Sequence, residues 1–118
     1  MNTRKIGTEY EERAAEFLEG QGVSILERNF RSRMGEVDII SKDGDVICFV
    51  EVKYRKGNNA GYPEEAVSRA KQRVISRTAD FYRMKKGLPE DRPYRFDVIS
   101  IMGKETVWHK NAFEYVPY

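Results

Sequence analysis

The sequence predicts an α/β domain with a mixed central β-sheet flanked by α-helices. Two strand-like runs separated by Asp43-Gly44 read as an antiparallel hairpin. The second of these runs, a long helical pattern and the run YRFDVISI form a strand-helix-strand crossover, whose right-handed connection sets its two strands parallel. A length of 118 residues with 40% apolar content fits one domain with a modest core and leaves no room for a second.

Met1 to Ile6 reads as a loose, basic start, and Thr8 as the N-cap of a helix whose apolar positions include Tyr10, Ala14, Phe17 and Leu18. Gly20 or Gly22 ends it. Glu11 has two readings. In one, Thr8-x-x-Glu11 is a capping box and Glu11 reaches back to the cap's own amide. In the other, Glu11 shares the face of Ala14, Ala15 and Leu18 and turns its carboxylate toward the sheet. Glu9, Glu12, Glu16 and Glu19 read as solvated acids. An edge or first strand follows around Ile25 and Leu26, continuing toward Arg33. Its arginines are either phosphate contacts or ordinary surface charge.

Glu36 to Ile40 forms a short strand, Ser41 to Asp45 a polar turn, and Val46 to Tyr54 a second strand. Val46, Ile47, Cys48, Phe49, Val50 and Val52 are apolar on both faces, as in a central strand covered on both sides. Acids and a lysine inside such sequence are costly to bury. Alternation sets Glu51 and Lys53 on one face, and Glu36 and Asp38 on one face of the preceding strand. Where those faces coincide, acids and lysine converge.

Lys56 to Gly61 is a polar loop. Tyr62, Pro63, Glu64 and Glu65 are expected to open a helix running to about Lys85. Val67, Ala70, Val74, Ile75, Phe81 and Tyr82 form its expected buried stripe, with Arg69, Gln72, Arg73, Arg77 and Arg83 mainly elsewhere. Lys71 and Gln72 fall early in it, within reach of a phosphate near the preceding strand; a solvated cationic face is the alternative. Gly87 to Pro93 is a turn, Tyr94 to Ile101 a strand parallel to the central one, and Thr106 to Phe113 a further strand at the edge. Asp97 reads as a structural acid paired with an arginine. Trp108 and His109 have no partner motif and read as packing or surface residues.

Net charge is only +2, yet the stretch from Arg69 to Arg95 carries nine Lys or Arg against three acids, so one side of the molecule is expected to meet a polyanion. The single cysteine, Cys48, excludes an intramolecular disulfide. With no signal-like or long apolar run, it points to a reducing cytoplasm and no membrane span. Zinc-spaced cysteines, a phosphate-binding glycine loop, a serine nucleophile motif and internal repeats are absent from the sequence.

Asp38 and Glu51 brought together at the ends of paired strands would repel, and burial raises the cost of charging both. A divalent cation resolves that conflict. Oxygen-only ligation suits Mg2+ or Mn2+, with Glu11 as a further carboxylate. Lys53 would then hold the attacking water or stabilise a pentacovalent phosphorane. A buried salt bridge between Lys53 and an acid needs neither metal nor substrate and is the simpler alternative. A Glu-x-Lys triplet alone is weak evidence; its position at the end of a buried strand, with Asp38 thirteen residues before Glu51 across a hairpin, is stronger.

The runs GEVDII and FVEVKYR, the Gly7 to Leu18 helix, the Lys71-Gln72 region and RFDVISI together resemble the YraN-type endonuclease-like proteins. These are relatives of the archaeal Holliday junction resolvases in the PD-(D/E)XK nuclease superfamily. The resemblance runs from Gly7 to Ile101 and implies a restriction-endonuclease-like core with magnesium-dependent phosphodiester hydrolysis. It makes Asp38 the first acid of the motif, Glu51 and Lys53 its second acid and lysine, and Glu11 the N-terminal helix glutamate. Gln72 and Lys71 match polar positions of the helix after the motif. Tyr10 stands where a glycine commonly precedes the helix glutamate, and Glu36 is carried as a candidate only. The expected activity is a metal-dependent endonuclease acting on DNA, branched or structured DNA included. Asp38, Glu51, Lys53 and Gln72 are its expected catalytic residues, and Glu11, Asp38 and Glu51 its metal ligands. Arg31, Arg33, Arg55, Lys71 and Arg73 are its expected nucleic-acid contacts. A homodimer is expected by analogy, since two symmetric cuts need two sites. Two alternatives are a non-catalytic nucleic-acid-binding module with a vestigial site, and an interaction subunit whose acids and Lys53 form a structural network.

Overall fold

The computed structural model describes residues 3–54 and 67–118. Along them run α1 (Thr3–Gly20), β1 (Ser24–Arg31), β2 (Glu36–Asp43), β3 (Val46–Tyr54), α2 (Arg69–Lys86), β4 (Tyr94–Met102) and β5 (Glu105–Phe113). The strands form one five-stranded sheet in sequence order. Neighbours are antiparallel except β3 and β4, which run parallel. The mixed α/β architecture, the hairpin, the central position of β3, the parallel crossover and the edge positions of β1 and β5 are as the sequence predicts.

Each face of the sheet buries one helix. Ala14, Ala15 and Leu18 of α1 pack with Ile39, Cys48, Val50, Ile99 and Ile101. Ile75, Ala79 and Tyr82 of α2 pack with Ile47, Phe49, Phe96, Val98 and Phe113. Consecutive β3 residues therefore contribute to opposite clusters, which is why this strand lacks a polar face. Burial in the α1 cluster pushes the Cys48 thiol up to about 12.

Both helix starts differ from expectation. The N-terminal helix is already running at Thr3, so Thr3 to Ile6 is not a loose lead-in, Met1 and Asn2 lie outside the described residues, and Thr8 lies inside the helix instead of capping it. A residue inside a helix cannot serve as its N-cap, so the capping-box reading of Glu11 falls. The second helix opens at Arg69 behind Ser68, an extended N-cap whose Oγ accepts from the Lys71 amide at 3.1 Å. Its first turn is therefore not Tyr62 to Glu65; those residues, with the Lys56 to Gly61 loop, lie outside the described residues. Its end falls within a residue of expectation, at Lys86, followed by Gly87 in the left-handed conformation at φ 66°.

The stripe of α2 is also corrected. Ala70 and Phe81 are exposed, whereas Gln72 and Arg77 are buried. The C-terminal segment causes the burial of Arg77: its guanidinium donates to the Val116 carbonyl and lies 3.8 Å from the Tyr118 ring centroid. Asp97 is the structural acid expected. It is fully buried and accepts from Arg95 Nε at 2.8 Å, Trp108 Nε1 at 2.9 Å and the Asn111 amide at 2.9 Å. Arg95 also donates to Asp43 at 2.9 Å, tying β4 to the end of β2. Among the described residues, no helix is long and apolar enough to cross a membrane.

Candidate functional site

The hairpin turn fixes where the acids meet. From Asp43 opposite Val46, β2 and β3 pair as far as Ile39 opposite Val50. Beyond that point β2 stays with β1, out to Arg31 opposite Glu36, while β3 stays with β4, out to Tyr54 opposite Ile101. The sheet forks there. The same register continued would set Asp38 opposite Glu51, so the two carboxylates stand on the two prongs at the point of divergence. Asp38 spans the gap: its Oδ2 accepts from the Val52 amide at 2.9 Å.

Local backbone choices hold the fork open. Val37 packs in the α2 cluster, yet Ile39, two residues on, packs in the α1 cluster. Alternation thus breaks between Asp38 and Ile39, and Glu36 stays grouped with Asp38 on the side of Glu11, whose carboxyl both acids help to push up. Across on β1, Asn29 takes φ 51° between the Arg28–Ile39 and Phe30–Val37 register pairs. Asn is among the few side chains tolerated there. Its side chain lies close enough to the Glu11 carboxyl to oppose the upward push on it. Asn29 belongs to the site although nothing in its sequence neighbourhood singles it out beyond a turn-favouring residue inside a strand. Gly35, at φ 155°, brings the entry of β2 against α2: a Cβ on it would lie 2.3 Å from Val74 Cγ1.

The electrostatics follow from burial and crowding. Glu51 is 6% exposed, and burial, then the adjacent Asp38 carboxylate, pushes its carboxyl up to about 8, against the opposing pull of Lys71 and Lys53. Glu51 Oε2 is buried without a hydrogen-bond partner. A protonated Glu51 can donate to the ionised Asp38 carboxylate; once both are ionised neither has a donor to offer, because a carboxylate only accepts. Glu11, inward-facing as the second reading of α1 expected, is pushed up to about 6 by burial and by Asp38, with Asn29 opposing. Asp38 therefore crowds an acid on each side. Among the described residues, no three His, Cys, Asp or Glu side chains stand as a ready cation-holding group. A pair of acids suits magnesium, which uses one or two carboxylates and completes its octahedron with water and phosphate oxygens. The orphaned Glu51 oxygen fits that requirement.

The remaining expected residues divide. Lys53 is half-buried on β3, and the ion pairs within 4.0 Å among the described residues do not include it, against the salt-bridge alternative. Lys71, half-buried in the first turn of α2, is close enough to stabilise ionised Glu51. Gln72 is buried, and its Nε2 donates to the Val67 carbonyl at 2.9 Å, which holds the helix start in place. Arg33 and Arg73 are exposed; Arg31 is exposed and pairs with Glu36 at 3.4 Å. Arg55 lies outside the described residues. The basic stretch offers less surface charge than its count suggests, because Arg77 and Arg95 are spent internally and Lys86 and Arg83 pair with Glu27 and Glu90. The Tyr10 departure is accommodated by stacking on Tyr54, with ring centroids 4.2 Å apart.

Residues 10–101, which contain every acid of the fork, match the model of the family described as Uncharacterised protein family UPF0102. The chain belongs to UPF0102. A UPF0102 protein of Lachnoclostridium phytofermentans is 45% identical over 114 residues, 97% of this chain and 97% of that protein. A UPF0102 protein of Fusobacterium nucleatum is 46% identical over 111 residues, 94% of this chain and 92% of its own length. One from Symbiobacterium thermophilum is 48% identical over 99 residues, 84% of this chain and 83% of its own. UPF0102 relatives thus match the chain at nearly full length, and the span they share includes both prongs of the fork and the start of α2.

Proposed function

We propose that this UPF0102 protein is a metal-dependent endonuclease that hydrolyses DNA phosphodiester bonds, with Asp38 and Glu51 holding Mg2+ or Mn2+ and Lys53 assisting at the phosphate. One observation carries the reading: Asp38 and Glu51 meet where β2 and β3 diverge, and the buried Glu51 Oε2 lacks a partner. A buried, crowded acid pair disfavours its own ionisation, and a hard cation is the ligand that reverses this. The YraN-type resemblance supports the same assignments, and a mixed sheet with a helix on each face agrees with a restriction-endonuclease-like core.

A cation held there by Asp38 and Glu51 would supply Lewis acidity, lowering the pKa of a water and neutralising charge on the phosphate. Asp38 and Glu51 provide its anionic oxygens, and Glu11, beside Asp38, is positioned to orient a water. Lys53, on the same face of β3 as Glu51, donates to the attacking water or to a non-bridging phosphate oxygen. It thereby stabilises the charge that grows as the water oxygen bonds phosphorus and the bond to the leaving strand breaks. Lys71 faces the site from α2, near enough to stabilise ionised Glu51, and the buried Gln72 holds the start of that helix. Branched DNA as substrate and a homodimer as the working unit enter by analogy with the resolvases.

A DNA-binding module without turnover is the second reading. The absence, among the described residues, of a ready three-acid group favours it. Cleavage of labelled single-stranded, duplex and four-way-junction DNA in Mg2+, Mn2+ or EDTA decides between them. Metal-dependent cutting that is lost in both Asp38→Asn and Lys53→Ala is the expected result. No cutting by the wild type in any condition, together with salt-sensitive binding that survives Asp38→Asn, transfers the function to the binding module.

A further inference from the structure

We propose that Tyr10 and Tyr54 form a stacking platform for an unpaired base beside the scissile phosphate, so that the substrate class is DNA with single-stranded nucleotides at the cut. This rests on the nuclease reading and adds the substrate class to it. Tyr54 directly follows Lys53 on β3, and Tyr10 directly precedes Glu11 on α1. Their rings are stacked, with centroids 4.2 Å apart and planes inclined by 16°. The pair joins α1 to the free prong of β3, past the fork, on the face where Val50 packs. At a strand rise of about 3.3 Å per residue, Tyr54 lies roughly 10 Å along β3 from Glu51.

Burial separates this pair from the stacks in the core; Phe81 and Tyr115 are as exposed as Tyr54 but lie on and against α2. Phe49 and Phe96, which stack in the core, are 2% and 5% exposed, whereas Tyr54 is 42% exposed at the site's rim. By alternation Tyr54 projects to the α1 face, opposite to Glu51 and Lys53, so the stack meets the site from the side of Glu11. A solvent-open ring there has the composition of single-strand recognition, in which bases stack on rings while cations follow the backbone. A cation is at hand on that face: the Arg13 guanidinium lies 5.6 Å from the Tyr10 centroid. A base within continuous duplex is already stacked on its neighbours and cannot use the platform unless it is first extruded.

The test measures binding by fluorescence anisotropy in EDTA, where no cutting is expected, using labelled oligothymidylate and a blunt DNA hairpin. Wild type, Tyr54→Ala and Tyr54→Trp are compared, with thermal midpoints recorded for each. The wild type is expected to prefer oligothymidylate. Tyr54→Ala should weaken that probe by about fivefold or more while leaving the hairpin within about twofold, and Tyr54→Trp should restore it. A purely structural stack would move both probes alike, and that result overturns the platform. So does a wild type that binds the hairpin at least as tightly, or a Tyr54→Ala variant with unchanged preference. Parallel cleavage in Mg2+ separates the failures: cutting that persists without a Tyr54 effect sinks the platform alone, and absence of both binding and cutting sinks the nuclease reading with it.

Discussion

Asp38 is committed through one oxygen to the Val52 amide and through its charge to everything else at the fork. Asn at this position keeps an acceptor for that amide and removes the charge that crowds Glu51 and Glu11. Asp38→Asn should therefore fold, melt higher than the wild type in EDTA, and cut no DNA; a lower melting temperature would show that Asp38 serves mainly as scaffold. Lys53→Ala should retain metal binding and lose about 10²–10³-fold in cleavage rate, the usual cost of one donor to developing charge. Glu51 gives a pH signature. Its carboxyl is raised from 4.5 to about 8 in the folded chain, so between those values the folded state keeps a proton that the unfolded chain has released. That contribution to stability is complete below the unfolded value and is lost as pH rises toward 8, with Glu11 adding to the fall up to about 6. Thermal midpoints in EDTA should accordingly drop from about pH 5 to about pH 8, and Glu51→Gln should flatten the profile; parallel profiles for the two proteins would refute the assignment.

At the scale of elements, the site depends on β2 entering close to α2 and leaving β3 at Ile39. Gly35 makes the first of these possible. Gly35→Ala drives a Cβ into Val74 and places a side chain where φ is 155°, so a loss of about 1–3 kcal/mol is expected in urea unfolding. Adding Val74→Ala should recover some of it, because the contact is relieved though the backbone strain remains; no recovery would assign the whole cost to the backbone. The hairpin, the central strand and the convergence of Asp38 with Glu51 and Lys53 were legible because β alternation and a tight turn are short-range properties. The fork was not legible. It arises where a left-handed Asn29 and a broken alternation at Asp38 separate strands that pattern alone keeps paired, and Asn29 carries no motif. The capping-box reading failed for a related reason: Thr3 to Gly7 continue the helix upstream, a choice that the cap-like Thr8 obscures.

Over the whole molecule, the buried acids have different tasks. On β4, opposite Val50, the buried Asp97 is fully answered by Arg95, Trp108 and Asn111, and Asp43 near the turn extends the network to β2. At the fork end, a buried carboxylate oxygen is left unanswered. The first pattern is that of a structural network; the second fits the proposed cation. Asp97→Ala should therefore cost about 1–3 kcal/mol for each donor it strands, Trp108 Nε1 and the Asn111 amide, with Arg95 left on Asp43 alone, read as a large fall in the denaturation midpoint. The pairing of Asp97 with an arginine was foreseeable from the nearby Arg95 in the sequence. The internal use of Arg77 was not, since the C-terminal segment that covers it is 39 residues away.

Whether Asp38 and Glu51 share one cation across the fork decides the proposed chemistry. Titration of Mn2+ into the wild type, Asp38→Asn and Glu51→Gln, followed by the loss of the free-ion electron paramagnetic resonance signal, measures this without reference to any substrate. One Mn2+ bound by the wild type and lost in both folded variants is the predicted result. Binding that is unchanged in either variant would contradict it.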